Sequence, residues 1–242
     1  MRRLINYLIG LLGYKIVKTQ IDVPSVRTMR NAVQRLAEKH QINTIIDVGA
    51  SNGMWSRSTM DFYPKSQYLL IEANPVHAQA LDAFTIEKSN AQFVLAAAGD
   101  KQGGNISFTF SKDDPYAGQA SYTPRENTSE ISETSIDYQV EIRGLKGPYL
   151  LKLDTHGFEI PIFKGAANVL VNTEIIIIES YNFRISTECL LFYEMCEHLN
   201  TLGLRCVDLV DPLWRPYDSA FWQMDLIFIK KDSPQFLYSN YQ

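Results

Sequence analysis

The stretch Thr44-Ile45-Ile46-Asp47-Val48-Gly49-Ala50-Ser51-Asn52-Gly53 decides the fold. Its first five residues form a short apolar run, the pattern of a parallel strand buried on both faces. The run ends in a turn with two glycines four positions apart, and a helical pattern follows from Trp55 to Phe62, stopped near Pro64. A strand that ends in a glycine turn lets a ligand approach the backbone closely at the carboxyl edge of a sheet. The amides at the start of the next helix then face that ligand. Ser51 stands where a pyrophosphate-binding Gly-x-Gly-x-x-Gly turn has its middle glycine. The turn therefore disfavours NAD and FAD and favours a nucleoside ligand without a pyrophosphate. Asp47 points the same way, because its carboxylate suits a cationic aminoacyl group and repels a pyrophosphate.

Outward from this turn, strand and helix patterns alternate. Gln67 to Ile71 reads as a second buried strand and ends at Glu72. An acid about 20 residues beyond the glycine turn typically accepts hydrogen bonds from ribose hydroxyls. After Ala73, Asn74 and Pro75 make a turn and start a helix that runs to Phe84. Gln92 to Ala97 is a third strand, and Ala97-Ala98-Gly99-Asp100 closes it with small residues. These either leave room for a flat adenine ring, with Asp100 or a backbone amide reading its edge, or simply make a tight turn. Ile106 to Phe110 is a further short strand. Ser111 to Thr134, polar and without apolar periodicity, reads as a long substrate-facing loop.

Regular patterns resume with a strand over Tyr149–Leu153 and a helix from near Glu159. The four isoleucines of Glu174–Glu179 form another strand, and Cys189–Leu202 a helix closed by Gly203. Leu204–Val210 and Asp225–Ile229 are the last pair of strands. The prediction is an N-terminal helical extension over 1–43, including a helix over Val26–His40, and one α/β domain over 44–242. That domain is a Rossmann-like, doubly wound and mostly parallel sheet with a C-terminal antiparallel strand.

A second strand–turn–helix constellation, Leu151-Lys152-Leu153-Asp154-Thr155-His156-Gly157-Phe158-Glu159, places three proton-binding groups within six positions. It falls on the same carboxyl edge as Asp47 and Glu72, where such folds bind ligands. Alone, Asp154 reads as a cap, His156 as a surface imidazole and Glu159 as a favourable first-turn charge. Together on that edge they read as a site.

The chain resembles the FkbM family of S-adenosylmethionine-dependent methyltransferases, which have a class I methyltransferase fold. The resemblance rests on Ile46-Asp47-Val48-Gly49-Ala50-Ser51-Asn52-Gly53, Ile71-Glu72-Ala73-Asn74-Pro75 and Ala97-Ala98-Gly99-Asp100. It continues through Thr134-Ser135-Ile136-Asp137, the Asp154–Glu159 constellation with its Lys164-Gly165-Ala166 follower, and Ile177-Ile178-Glu179. It spans roughly Thr44 to Tyr181, and it departs at His156, where the family commonly has an acid.

The resemblance implies S-adenosyl-L-methionine as cofactor. The donor would be held by Asp47, Gly49, Ala50, Ser51, Asn52, Gly53, Glu72, Ala73, Asn74, Ala98, Asp100 and Asp154. It also implies O-methylation, often of a sugar or polyketide hydroxyl, with polysaccharide biosynthesis at a bacterial surface as one setting. The catalytic set is then His156, Asp154 and Glu159. His156 is the base, because an unperturbed imidazole titrates near neutrality, and Asp154 orients donor, acceptor or imidazole. No metal site is assigned; the alternative is a divalent cation held by Asp154, Glu159 and Glu179. The competing readings are an N-methyltransferase acting on an amine or protein, and a donor-binding module that transfers nothing.

The 242 residues carry a net charge of -4, and their basic residues are scattered apart from Arg2-Arg3. That argues against a nucleic-acid partner, which phosphate contacts would hold, and leaves a small molecule or glycan as acceptor. Cys189, Cys196 and Cys206 lack zinc-site spacing and read as free thiols of a cytoplasmic protein. Leu4, Leu8, Leu11 and Leu12 share one helical face flanked by Arg2, Arg3 and Lys15. This first helix either rests on the inner membrane face or packs on its own domain or a sister subunit in a homo-oligomer.

Overall fold

The computed structural model describes residues 27–110, 118–124 and 127–241, so the apolar-basic first segment and its membrane or subunit contact lie outside the described residues. Among the described residues no helix is long and apolar enough to cross a membrane.

The first strand, β1 (Thr44–Val48), lies where the sequence places it, and all five of its residues are buried. It pairs in parallel with β2 (Gln67–Glu72) on one side and β8 (Tyr149–Leu153) on the other. β3 (Ala91–Leu95) continues the sheet beyond β2. β9 (Thr173–Tyr181) continues it beyond β8, also in parallel. The far edge is a hairpin of β10 (Leu204–Trp214) and β11 (Phe221–Lys230), with β11 antiparallel to both β9 and β10. The seven strands run in the order β10-β11-β9-β8-β1-β2-β3. This is the mostly parallel sheet with one C-terminal antiparallel strand that the alternating pattern predicts.

The period-two alternation of these strands divides the core into two layers. One layer holds Ile46, Leu69, Leu151, Ile176 and Phe228, covered by α4 (Ile136–Ile142), α5 (Glu159–Lys164) and α7 (Phe192–Thr201). The other holds Ile45, Leu70, Leu150, Ile177 and Ile227. There α1 (Met29–Ala37) contributes Ala32, Val33 and Leu36, and α3 (Ala78–Glu87) contributes Leu81 and Phe84. Two short helices complete the set, α2 (Met54–Thr59) after the glycine turn and α6 (Ala167–Val171) after α5.

Several boundaries differ from the sequence reading. Pro75–His77 is a 3₁₀ turn, and the α-helix begins after it. α7 starts at Phe192 rather than Cys189, because the Glu194 carboxylate accepts the Leu191 amide at 2.8 Å and fixes the helix start there. The third strand stops at Leu95.

The largest correction concerns Ser111–Thr134, which is not one irregular loop. β6 (Gln119–Ser121) and β7 (Thr128–Thr134) join β4 (Ala97–Ala98) and β5 (Asn105–Thr109) in a separate four-stranded sheet, ordered β4-β7-β5-β6. β7 is largely exposed along its first five residues, so no apolar alternation marks it. Its pairing with β5 across Asn105–Thr109 makes it a strand.

Gly49 fastens β1 to β8. Its φ is +74°, and a Cβ there would lie 2.0 Å from the Asp154 carbonyl oxygen. Gly49→Ala should therefore cost more than the roughly 1–3 kcal/mol of left-handed strain alone. Gly103→Ala, also at positive φ but with open space around it, should show the strain only. Urea unfolding midpoints check this, and equal shifts for the two variants would refute the close-approach argument.

Candidate active site

A cavity of ≈ 260 Å³ opens at the carboxyl ends of β1, β2, β8 and β9. Its floor is the first glycine turn. The Gly49 amide donates to the Ile71 carbonyl at 2.9 Å, holding the turn against the end of β2. Ser51 follows with a left-handed φ of +50°, which aims its amide at Glu72.

Glu72, at the end of β2, is 6% exposed. Its Oε2 accepts the Ser51 amide at 2.6 Å and its Oε1 the Asn74 amide at 2.6 Å. Burial raises this carboxyl, and the two amide bonds oppose that rise. Each oxygen keeps a further acceptor position, so the oriented carboxylate can receive two hydroxyls. Asn74 holds the turn by accepting the Val76 amide on Oδ1 at 3.1 Å. Ala96, Ala97 and Ala98 line the same cavity with small side chains, together with Phe158 and Ile162.

The second turn supplies the other end of the cavity. His156 has a left-handed φ of +52°, and its Nδ1 is 2.9 Å from the Gly118 carbonyl. A carbonyl only accepts, so Nδ1 carries the hydrogen and Nε2 presents its other face to two carboxylates. Asp154 Oδ1 lies 3.6 Å and Glu179 Oε2 3.5 Å from Nε2. Asp154 Oδ2 accepts from the Lys152 ammonium at 3.0 Å. Glu179 accepts the Tyr181 hydroxyl on Oε2 and the Gln223 amide on Oε1.

Burial works to raise Asp154, but Lys152 and His156 outweigh it and hold the carboxyl below its ordinary range. Burial and then the neighbouring Asp154 push Glu179 up to about 7. Lys152, 5% exposed, would be lowered by burial, yet Asp154 and Asp47 keep it above the usual ammonium value.

Of the residues expected from sequence, Gly49, Ser51, Glu72, Ala73, Asn74, Ala98, Asp154 and His156 line this cavity, as does Glu179 of the alternative cation set. The others do not. Asp47 is fully buried below the turn, where its Oδ2 accepts the Ser56 hydroxyl at 2.7 Å and its Oδ1 lies 3.7 Å from Lys152. It therefore cannot meet an aminoacyl group directly. Ala50 packs into the core layer on the α1 side. Asn52 accepts the Met54 amide at 3.2 Å within the turn that leads into α2, and Gly53, the residue before that helix, sits over Leu70, Leu81 and Phe84.

Asp100 is exposed, and its amide is engaged by Tyr122 and Glu133, so it reads no ring edge in the cavity. Glu159 turns inward. Its Oε1 accepts the Gly157 amide at 2.9 Å and the Thr155 hydroxyl at 3.1 Å, bracing the second turn. It belongs neither to a catalytic set nor to a cation site. Among the described residues the group able to hold a metal ion is Asp154, His156 and Glu179.

Sequence reasoning missed His77, Thr155 and Phe158, and it missed Phe108 as a lining residue. His77 and Phe108 carry no local signal, since one follows a helix-starting proline and the other sits in a short strand of the smaller sheet. Gly118 and Ala120, from the segment read as a substrate-facing loop, also line the cavity.

The family model for the methyltransferase FkbM domain matches residues 47–206, about two thirds of the chain. No curated protein matches the sequence. Similar solved structures include a putative O-methyltransferase from Klebsiella pneumoniae, 14% identical, with a TM-score of 0.48 over 94% of this chain and 96% of that one. A precorrin-6y C5,15-methyltransferase from Geobacter metallireducens is 12% identical, with a TM-score of 0.45 over 90% of this chain and 94% of that one. A putative tRNA (m1A22) methyltransferase from Streptococcus pneumoniae is 12% identical, with a TM-score of 0.44 over 82% and 69%. The family match runs through both glycine-turn constellations that build the cavity, so the chain belongs to the FkbM methyltransferase family and is an S-adenosylmethionine-dependent methyltransferase.

Proposed function

We propose that this enzyme transfers the donor methyl group to a hydroxyl, and that the hydroxyl belongs to a sugar, as in a surface glycan. The observation that carries the reading is the convergence of Asp154, His156 and Glu179 at one end of the cavity. An alcohol is a weak acid, so methylation at oxygen needs a group or charge that takes or loosens its proton, whereas the sulfonium methyl needs no further activation. Glu72, with both oxygens oriented by backbone amides, takes the ribose hydroxyls of the donor, and the Ala96–Ala98 wall takes its adenine. The acceptor oxygen then sits between the donor methyl and the His156 cluster. Holding the two in line supplies several kcal/mol of the barrier lowering.

An aromatic path supports a sugar as the acceptor. The Tyr181 ring meets His156 edge-on at 6.4 Å and Trp222 at 6.2 Å, and Trp222 stacks on Phe183 at 5.2 Å. Sites of this kind pair apolar ring faces with a few placed polar groups. An amine acceptor is the second reading, because the same two carboxylates could hold an ammonium.

Two substitutions separate the donor and acceptor ends. Glu72→Ala removes an acceptor of charge-assisted bonds, each worth about 1.5–3 kcal/mol. S-adenosylmethionine affinity by calorimetry should fall at least ~10-fold, and an unchanged affinity would remove Glu72 from ribose binding. His156→Ala should keep donor affinity while turnover on a hydroxyl acceptor falls by about 10²–10⁴. An unchanged rate would remove the cluster from the chemistry, and turnover confined to amines would favour the second reading.

A further inference from the structure

We infer that Asp154 Oδ1, His156 Nε2 and Glu179 Oε2 together hold a divalent cation at the acceptor end of the cavity. The inference rests on the reading that this cluster faces the acceptor hydroxyl, and it specifies how the cluster loosens the hydroxyl proton.

The spacing fits one ion. The three ligand atoms lie within 4.8 Å of one another, with Nε2 3.6 Å from Oδ1 and 3.5 Å from Oε2. Bonds of about 2.0–2.2 Å to a shared ion put neighbouring ligand atoms roughly 3.0–3.5 Å apart. For the two pairs that include Nε2, contraction by a few tenths of an ångström is enough, and the two carboxylate oxygens start within 4.8 Å of each other.

The outer contacts fit as well, and they are independent of that spacing. His156 gives its Nδ1 hydrogen to the Gly118 carbonyl, which turns Nε2 toward the two carboxylates. A second hydrogen bond of this kind is what orients a metal-binding imidazole. The far oxygen of Asp154 is held by Lys152 and the far oxygen of Glu179 by the Gln223 amide. Asp154 and His156 therefore each have one atom anchored and one directed at the common point, while Glu179 Oε2 also accepts the Tyr181 hydroxyl and keeps a second lone pair for the ion. Two carboxylates converging on Nε2 favour positive charge at that point, and a cation bound by all three atoms supplies it. Lys152 does not fill that place, since its ammonium lies on the other side of Asp154, between Asp154 and Asp47.

One imidazole and two carboxylates suit Mn²⁺ or Zn²⁺ better than an all-oxygen Ca²⁺ site. Three protein ligands leave open positions. The acceptor hydroxyl oxygen takes one, and the cation makes that hydroxyl more acidic, as it does bound water. The proton passes to solvent water. The oxygen forms its bond to the methyl carbon while the carbon–sulfur bond breaks, and that electron pair stays on sulfur. His156 is in this arrangement a ligand, and the cation carries the activation.

The test is Mn²⁺ titration of chelator-stripped full-length protein without substrate, with free Mn²⁺ followed by electron paramagnetic resonance and Zn²⁺ used as competitor. One saturable site per chain is expected. Its affinity should fall 10–100-fold in Glu179→Gln and at least as far in His156→Gly, where glycine keeps the left-handed backbone and the fold. Retained S-adenosylmethionine affinity in both variants shows that the structure has survived. Absence of saturable binding by either metal, or equal affinity in the variants, overturns the inference. Methylation of a hydroxyl that continues unchanged in chelator also overturns it while leaving the proposed function standing. Tight Mn²⁺ binding with transfer confined to amines would sink the hydroxyl reading and keep the cation site.

Discussion

The contact on which the site depends is the one between Gly49 and Asp154. The Asp154 amide donates to the Val48 carbonyl at 3.0 Å, carrying the β1–β8 ladder one step past the strands. The Asp154 carbonyl then passes through the space a Cβ on Gly49 would fill. The donor turn and the acceptor turn are thereby pressed against each other at the carboxyl edge of the sheet. With a side chain at position 49 the two turns would separate. Glu72 and the Asp154–His156–Glu179 cluster would then no longer border one cavity.

Beneath this contact lies a buried charge arrangement with a supporting role. Strand alternation puts Asp47, Lys152, Glu179 and Asp225 on the same side of the sheet as Ile45, Leu150, Ile177 and Ile227, two residues further along β1, β8 and β9 and two residues earlier along the antiparallel β11. Lys152 sits among them, 3.0 Å from Asp154 and 3.7 Å from Asp47. A buried ion pair of this kind adds little stability, but losing one partner leaves an uncompensated charge and costs several kcal/mol. Its contribution to function is positional, because the ammonium holds one oxygen of Asp154 and leaves the other turned toward His156.

The middle of the central sheet was legible because β1, β2, β8 and β9 are buried on both faces and read as apolar runs, as in Ile175–Ile178. Glu72 was legible because a strand end fixes both its place and its direction. Asp47 and Glu159 were misassigned for a shared reason. Sequence spacing locates a carboxylate along the chain, but not whether its side chain turns into the cavity or back into the turn. Asp47 is claimed by Ser56 and Lys152, and Glu159 by Thr155 and Gly157. Asp100 failed differently, since the small sheet takes up its amide through Tyr122 and Glu133. That sheet depends on pairing between β5 and a mostly exposed β7, and pairing of this sort leaves no periodic trace.

The small sheet also accounts for the backbone at His156. A non-glycine residue with φ of +52° carries about 1–3 kcal/mol of strain, and such strain persists where the surroundings over-determine it. Here the Gly118 carbonyl, delivered from the residue before β6, fixes the imidazole through Nδ1. A side chain at Gly118 would have to displace the Phe108 ring of β5, because a Cβ would lie 2.3 Å from it. The chain of constraint therefore runs from the β5–β6 pairing, through the close packing of Gly118 on Phe108, to the orientation of Nε2. A segment with little apolar content sets the direction of the one imidazole in the reactive cluster.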